Sequence, residues 1–272
     1  MQEYSIPRQI WRAIYPLLIF FGVSLIVDLG YAIMMFESVP VFSLRNLFAI
    51  SAICTLIFGL MWRSARTRLP IYSGTKLKIM PAILTVLLFV GLNFIFVAII
   101  GITDLMRHFP PHNLVKQFIT SGSLTMRILA VGLFAPVVEE LMCRGILLTR
   151  LSTWMPTWAA VLVSSALFGF IHLNLLQGMY AFVAGIFFAL LYIRYRNLWL
   201  PIIAHVAFNL ASIILHERLE AMGAEAFSLL LLLISSLLVA VVCALLLKKC
   251  TKAAVLIQEP GDGAEASSVI YP

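Results

Sequence analysis

The stretch A-P-V-V-E-E-L-M-C-R-G, residues 135–145, sets two adjacent carboxylates and a guanidinium inside a run that is otherwise apolar and long enough to cross a bilayer. A charge at the centre of a membrane helix costs about 2.5–3.5 kcal/mol even on lenient insertion scales, so an ionisable group there marks function by default. Glu140 and Arg144 are four residues apart and share one helix face, where they can pair. The helical period turns Glu139 about 100° from that face, and the spacing offers it no local partner. Among apolar neighbours a carboxylate is a better proton acceptor than in water, which suits a general base.

The composition around this stretch is that of an all-α, polytopic membrane protein. Hydrophobic residues make up 62% of the 272, charged residues only 11%, and the mean hydropathy is +1.03. The net charge of +7 does not indicate nucleic acid, because the basic residues sit in short segments between apolar runs, without a patch of interleaved aromatics. The four cysteines show neither metal-ligand nor disulfide spacing. Cys54, Cys143 and Cys243 read as small core residues, and Cys250, beside Lys248 and Lys249, as a juxtamembrane residue rather than an acylation site.

Eight apolar runs are spaced along the chain, over residues 13–36, 46–62, 79–103, 124–151, 158–172, 178–195, 200–215 and 226–247. The first lacks a small-x-small cleavage site and is expected to be a retained anchor, with Asp28 in a structural role. Asn93 is expected to hydrogen-bond between helices, and Ala181, Gly185 and Ala189 form a small-residue ridge for close packing. His108 and His112 flank Pro110-Pro111 in a loop and read as solvated. Pro136, just before the carboxylates, removes a backbone donor and is expected to kink its helix, freeing a carbonyl beside Glu139.

With eight spans and the N-terminus inside, 13 of the 19 Lys and Arg fall on inner segments and 5 on outer ones, Arg144 being intramembrane. Both termini are therefore expected in the cytoplasm. Residues 1–250 form one transmembrane helical domain with no internal repeat, and residues 251–272 are expected to be a disordered tail.

Polar pairs at i, i+4 recur on three runs: Glu140 with Arg144, Phe168 with His172, and His205 with Asn209. At about 1.5 Å rise per residue, the glutamates lie roughly 17 Å, His172 about 21 Å and His205 about 12 Å from the inner ends of their helices. Those depths are compatible with one polar pocket inside the bundle, opening toward the cytoplasm. Taken singly, a membrane histidine often only bonds a neighbouring carbonyl, Glu140 with Arg144 makes a structural staple, and Phe168 is packing. Glu139, His172, His205 and Asn209 together are harder to explain as architecture.

The order E-E-x-x-x-R, F-x-x-x-H, H-x-x-x-N on successive hydrophobic helices resembles the CAAX-protease and bacteriocin-processing family of intramembrane endopeptidases, which includes the type II CAAX prenyl endopeptidases. All three motifs are complete, and the resemblance covers residues 124–215. It implies an eight-helix fold and peptide-bond hydrolysis at the membrane. By that pattern Glu139 and His172 would activate a water while His205 and Asn209 hold the oxyanion. The chemistry agrees, since an attacked carbonyl needs a base for the water and donors for the developing charge.

Two other readings stay open. Glu139, His172 and His205 form a legitimate zinc set for a metalloprotease, although there is no H-E-x-x-H, and the metal-free reading needs no cofactor. A non-enzymatic peptide-binding or immunity protein, or a transporter, is the second; paired halves would favour a transporter, but the polar residues concentrate in the second half. Short loops supply no soluble recognition domain, so the expected partner besides the bilayer is a hydrophobic or lipid-anchored peptide, prenylated or not.

Overall fold

Apolar residues recurring at helical spacing lead to helices throughout. The computed structural model describes residues 5–34, 43–65, 76–103, 105–109, 117–120, 122–222 and 226–256, and shows no strand among them. Eight long helices run in order: α1 (Ile6–Met34), α2 (Leu44–Ala65), α3 (Ile79–Ile102), α4 (residues 124–151), α5 (Thr157–Phe170), α6 (Leu175–Tyr195), α7 (Trp199–Met222) and α8 (Ala226–Leu256). Each of the eight apolar runs is one of them. Among the described residues four of them, α1, α2, α3 and α6, are long and apolar enough to cross a membrane. With 14 residues, α5 reaches only about 21 Å.

α4 is the central helix. Residues 141–149 are all buried, in a part of α4 that packs against α1, α2, α5 and α6. α8 packs along α3, and α5 folds back on α6. The outside is apolar too: Leu25, Ile26 and Ile33 of α1 and Ile234, Leu238 and Leu245 of α8 are each more than half exposed. Water does not tolerate continuous belts of this kind, whereas lipid does.

Some polar contacts tie the helices together. Asp28 accepts from Asn46 Nδ2 at 2.8 Å, the structural role expected of it. Arg150, at the end of α4, donates to Tyr15 Oη and the Arg12 carbonyl of α1. Asn93 is buried, but its Oδ1 has no partner among the described residues, so that atom does not form the expected interhelical bond. Cys54, Cys143 and Cys243 are buried free thiols, as expected of small core residues.

The last helix continues to Leu256, beyond the boundary at 250 that composition indicated. Lys252, Ala253 and Ala254 are strong helix formers and extend it. Residues 257–272 lie outside the described residues, as do Pro110, Pro111, His112, residues 66–75 of the basic loop and the Cys250 side chain. His108 is exposed at the end of a short 3₁₀ turn, Leu105–His108.

The α5–α6 turn depends on two glycines. A Cβ at Gly169 would lie 2.6 Å from the Gly178 carbonyl oxygen, and one at Gly178 would lie 3.0 Å from that of Gly169. The two backbones therefore touch, and Leu173 turns the chain between them with φ of 52°. Gly169→Ala is expected to destabilise the protein by about 1–3 kcal/mol through overpacking, read as thermal unfolding in detergent. Gly22→Ala, where a Cβ meets nothing within 4 Å, is the control and should cost nothing.

Candidate active site

Helix α4 is not uniform where it carries the carboxylates. A regular segment, Ala135–Glu140, lies between two stretches of wide π-type turns, Ile128–Phe134 and Leu141–Leu148. Such turns are rare, since each carbonyl must reach a donor five residues on, and they occur often at functional sites. Pro136 sits at the first junction. Helical backbone continues through it. The carbonyl left over is that of Val131, and it accepts from Asn209 Nδ2 of α7 at 2.9 Å.

Glu140 and Arg144 form the expected pair, with Nη1 to Oε1 at 2.9 Å and both side chains fully buried. Two such charges are costly away from water and need partners. Among the described residues Glu140 Oε2 and Arg144 Nε have no hydrogen-bond partner, and the other atoms carry the compensation. Arg144 Nη2 donates to the Gly185 carbonyl of α6 at 2.8 Å, and its guanidinium lies over the rings of Phe168, at 4.4 Å, and Phe188, at 5.3 Å. Glu140 Oε1 also accepts from His205 Nδ1 of α7 at 2.9 Å. Gly185 is needed for this approach, because a Cβ there would meet Arg144 Nη2 and Phe168 at 3.1 Å and Ser165 at 3.2 Å.

Glu139 has the partner that local spacing did not supply. His205 Nε2 is 3.6 Å from Glu139 Oε2, so one imidazole lies between the two adjacent carboxylates. Their surroundings differ: the Glu139 side chain is 16% exposed and that of Glu140 0%. One carboxylate is reachable from outside the core and the other is sealed.

His172 does not sit on the α5 helix face as the F-x-x-x-H spacing suggested. α5 ends at Phe170, and His172 lies in the turn toward α6. Gly169 and Gly178 force that early ending by bringing the two helices into backbone contact. The turn still returns His172 to Phe168: its Nδ1 lies 2.8 Å from the Phe168 carbonyl, and the rings meet edge to face at 5.1 Å. Glu139, His205 and Arg144 are its charged or titratable neighbours.

Phe168 does more than pack at random. It touches His172, His205, Phe188 and Arg144. Phe188, which no motif indicated, stacks on His205 at 4.7 Å and on Phe89 at 4.9 Å. Its place on the ridge-bearing helix, three residues after Gly185, was the available signal.

Six of the motif residues, Glu139, Glu140, Arg144, Phe168, His172 and His205, are thus linked by contacts from α4, α5, the α5–α6 turn and α7. Asn209, one helical turn beyond His205 on α7, is joined to the Val131 carbonyl instead. Among the described residues, no three His, Cys, Asp or Glu side chains come together as a metal-binding group, and His205 already directs one ring nitrogen to Glu140.

Residues 121–211 match the family model described as type II CAAX prenyl endopeptidase Rce1-like. A curated relative, the Bacillus subtilis (strain 168) protein named "Putative membrane peptidase YdiL", is 30% identical over 93 residues, which are 34% of this chain and 38% of that protein. The chain thus aligns with little more than a third of that relative's length. No solved structure matches. The resemblance carried by the three motifs is therefore borne out over the segment that contains them. With its several apolar helices, the protein is a multi-pass membrane protein.

Arg144→Met would remove the guanidinium paired with the buried Glu140 carboxylate. The expected loss is about 3–5 kcal/mol of stability. Adding Glu140→Gln should recover a substantial part of it, both being measured by denaturant unfolding in micelles. A single variant as stable as the parent would contradict the pairing.

Proposed function

We propose that the protein is an intramembrane endopeptidase that hydrolyses a peptide bond in a membrane-associated substrate, using a water activated by Glu139 and His172. The observation that carries this reading is the unequal exposure of two neighbouring glutamates on one histidine. Glu139 is reachable by a water and a substrate; Glu140 is enclosed and serves to hold His205 and Arg144.

In this mechanism Glu139, with His172 beside it, takes a proton from the water as its oxygen attacks the scissile carbonyl carbon. The carbonyl electrons move onto oxygen, and His205 and Asn209 donate hydrogen bonds to that oxyanion. Collapse of the intermediate expels the amine, which receives the proton from Glu139. With Nδ1 donating to Glu140, His205 can donate at Nε2 only as the doubly protonated ring, whose charge the two carboxylates offset. Asn209 has two amide N–H groups, of which Val131 takes one.

Eight membrane crossings with both termini in the cytoplasm and a site opening to that side complete the reading, supported by the eight helices and the charge bias of the loops. The substrate is a hydrophobic or lipid-anchored peptide, because the apolar belt offers it the bilayer as its route to the site. Matching the type II CAAX prenyl endopeptidase model supports a peptide of that class.

Quenched fluorescent peptides, prenylated and unprenylated, offered to the reconstituted protein with and without a chelator test the proposal. Glu139→Gln should lower kcat by about 10²–10⁴-fold, the range for loss of a general base. Wild-type cleavage should ignore the chelator. Activity abolished by the chelator and restored by zinc would instead make Glu139, His172 and His205 ligands, and equal activity in wild type and Glu139→Gln would end the assignment. Peptide bound tightly by both and cut by neither would point to a binding protein.

Substrate access has its own check. A lipidated peptide in liposomes should be cleaved at least about tenfold faster than its soluble counterpart, in line with the local concentration that partitioning supplies. Equal rates would remove the membrane route from the reading.

A further inference from the structure

The hydrogen bond between Asn209 and Val131 exists because of a missing donor. In the wide turns of Ile128–Phe134, the Ala135 N–H donates to the Ala130 carbonyl, five residues back. The next bond in that register would run from residue 136 to Val131, but residue 136 is proline and has no N–H. In the ordinary helical register Val131 would take the Ala135 N–H, which is directed to Ala130. A carbonyl left open in an apolar interior is costly unless a side chain reaches it. Asn209 reaches it from α7 at 2.9 Å.

We infer that Pro136 is a positioning residue for Asn209: by withholding a backbone N–H it reserves the Val131 carbonyl for the Asn209 amide, which fixes the amide plane and leaves its second N–H as a donor. The inference deepens the proposed reaction and rests on the oxyanion role of Asn209 given there. A substituted residue with its own N–H would compete for the same carbonyl, and Asn209 would lose its anchor. The reserved carbonyl and the carboxylates lie on one helix, so this bond also ties α7 to α4 next to the site. Glu140 with His205 ties the same two helices one helical turn away along α7.

Two measurements separate this inference from the reading beneath it. The first needs no substrate: a double-mutant cycle of Pro136→Ala and Asn209→Ala in micelle unfolding. Asn209→Ala should destabilise the protein with proline at 136 and cost measurably less with alanine there, because the restored N–H takes over the carbonyl. Equal cost in both backgrounds would overturn the inference, whatever the peptidase assay shows.

The second measurement uses the cleavage assay. Pro136→Ala should lower kcat by about tenfold or more with KM nearly unchanged, and Asn209→Ala should add little to it, as expected for residues acting through one hydrogen bond. Replacing residue 136 by the hydroxy-acid analogue of alanine, which has an ester oxygen in place of the N–H, should keep the proline level of activity. If Pro136→Ala does not fold, the ester variant alone decides: activity near wild type supports the inference, and inactivity shows that the ring, not the absent donor, matters. Stability coupling without any cleavage would retire the peptidase reading and leave the Pro136–Val131–Asn209 relation standing.

Discussion

The fully buried ion pair of Arg144 and Glu140 is the constraint on which this region of the molecule depends. Neither charge can be left without partners in an apolar interior, so several elements must be arranged around it. α6 contributes the Gly185 carbonyl and Phe188, α5 contributes Phe168, and α7 contributes His205. Each contact serves two purposes, compensating a charge and fixing the neighbour that supplies the compensation. Gly185 illustrates how tight the arrangement is, since a Cβ there would press on the guanidinium at 3.1 Å.

From this pair the arrangement extends outward to groups with chemistry. His205 is held at Nδ1 by Glu140 and stacked by Phe188, which leaves Nε2 toward Glu139. Phe168 braces His205 and His172 at once. The sealed glutamate and the accessible one therefore have different physical situations, although they are neighbours in sequence. The proposed division of work between them, Glu140 orienting and Glu139 taking a proton, follows from that difference in exposure.

Irregular backbone is the means by which α4 presents these groups. Its wide turns on both sides of Ala135–Glu140 are stabilised by side chains that replace ordinary helix bonds: Asn209 at the Val131 carbonyl, and the Thr149 hydroxyl at the carbonyls of Arg144 and Gly145. In a soluble protein water could satisfy such groups; in a membrane protein other residues must. The α5–α6 turn follows the same logic, with backbone contact between Gly169 and Gly178 setting where α5 ends and so where His172 sits.

By itself the sequence determined that the chain is helical and membrane-embedded, roughly where its apolar helices lie, and that Glu139, Glu140, Arg144, Phe168, His172, His205 and Asn209 stand out from it. Those conclusions rest on hydropathy, on the high cost of charge in lipid and on i, i+4 spacing, all of which are local. Only the tertiary structure decided which carboxylate is sealed, that His205 bridges both, that His172 belongs to a turn, and that Val131 is the carbonyl Asn209 serves. Phe188 became visible only there as well, as did the Gly185 carbonyl as an acceptor for Arg144. The physical reason is that burial and hydrogen-bond completion depend on groups from helices distant in sequence, and no spacing within one helix specifies which neighbour arrives to satisfy a buried charge.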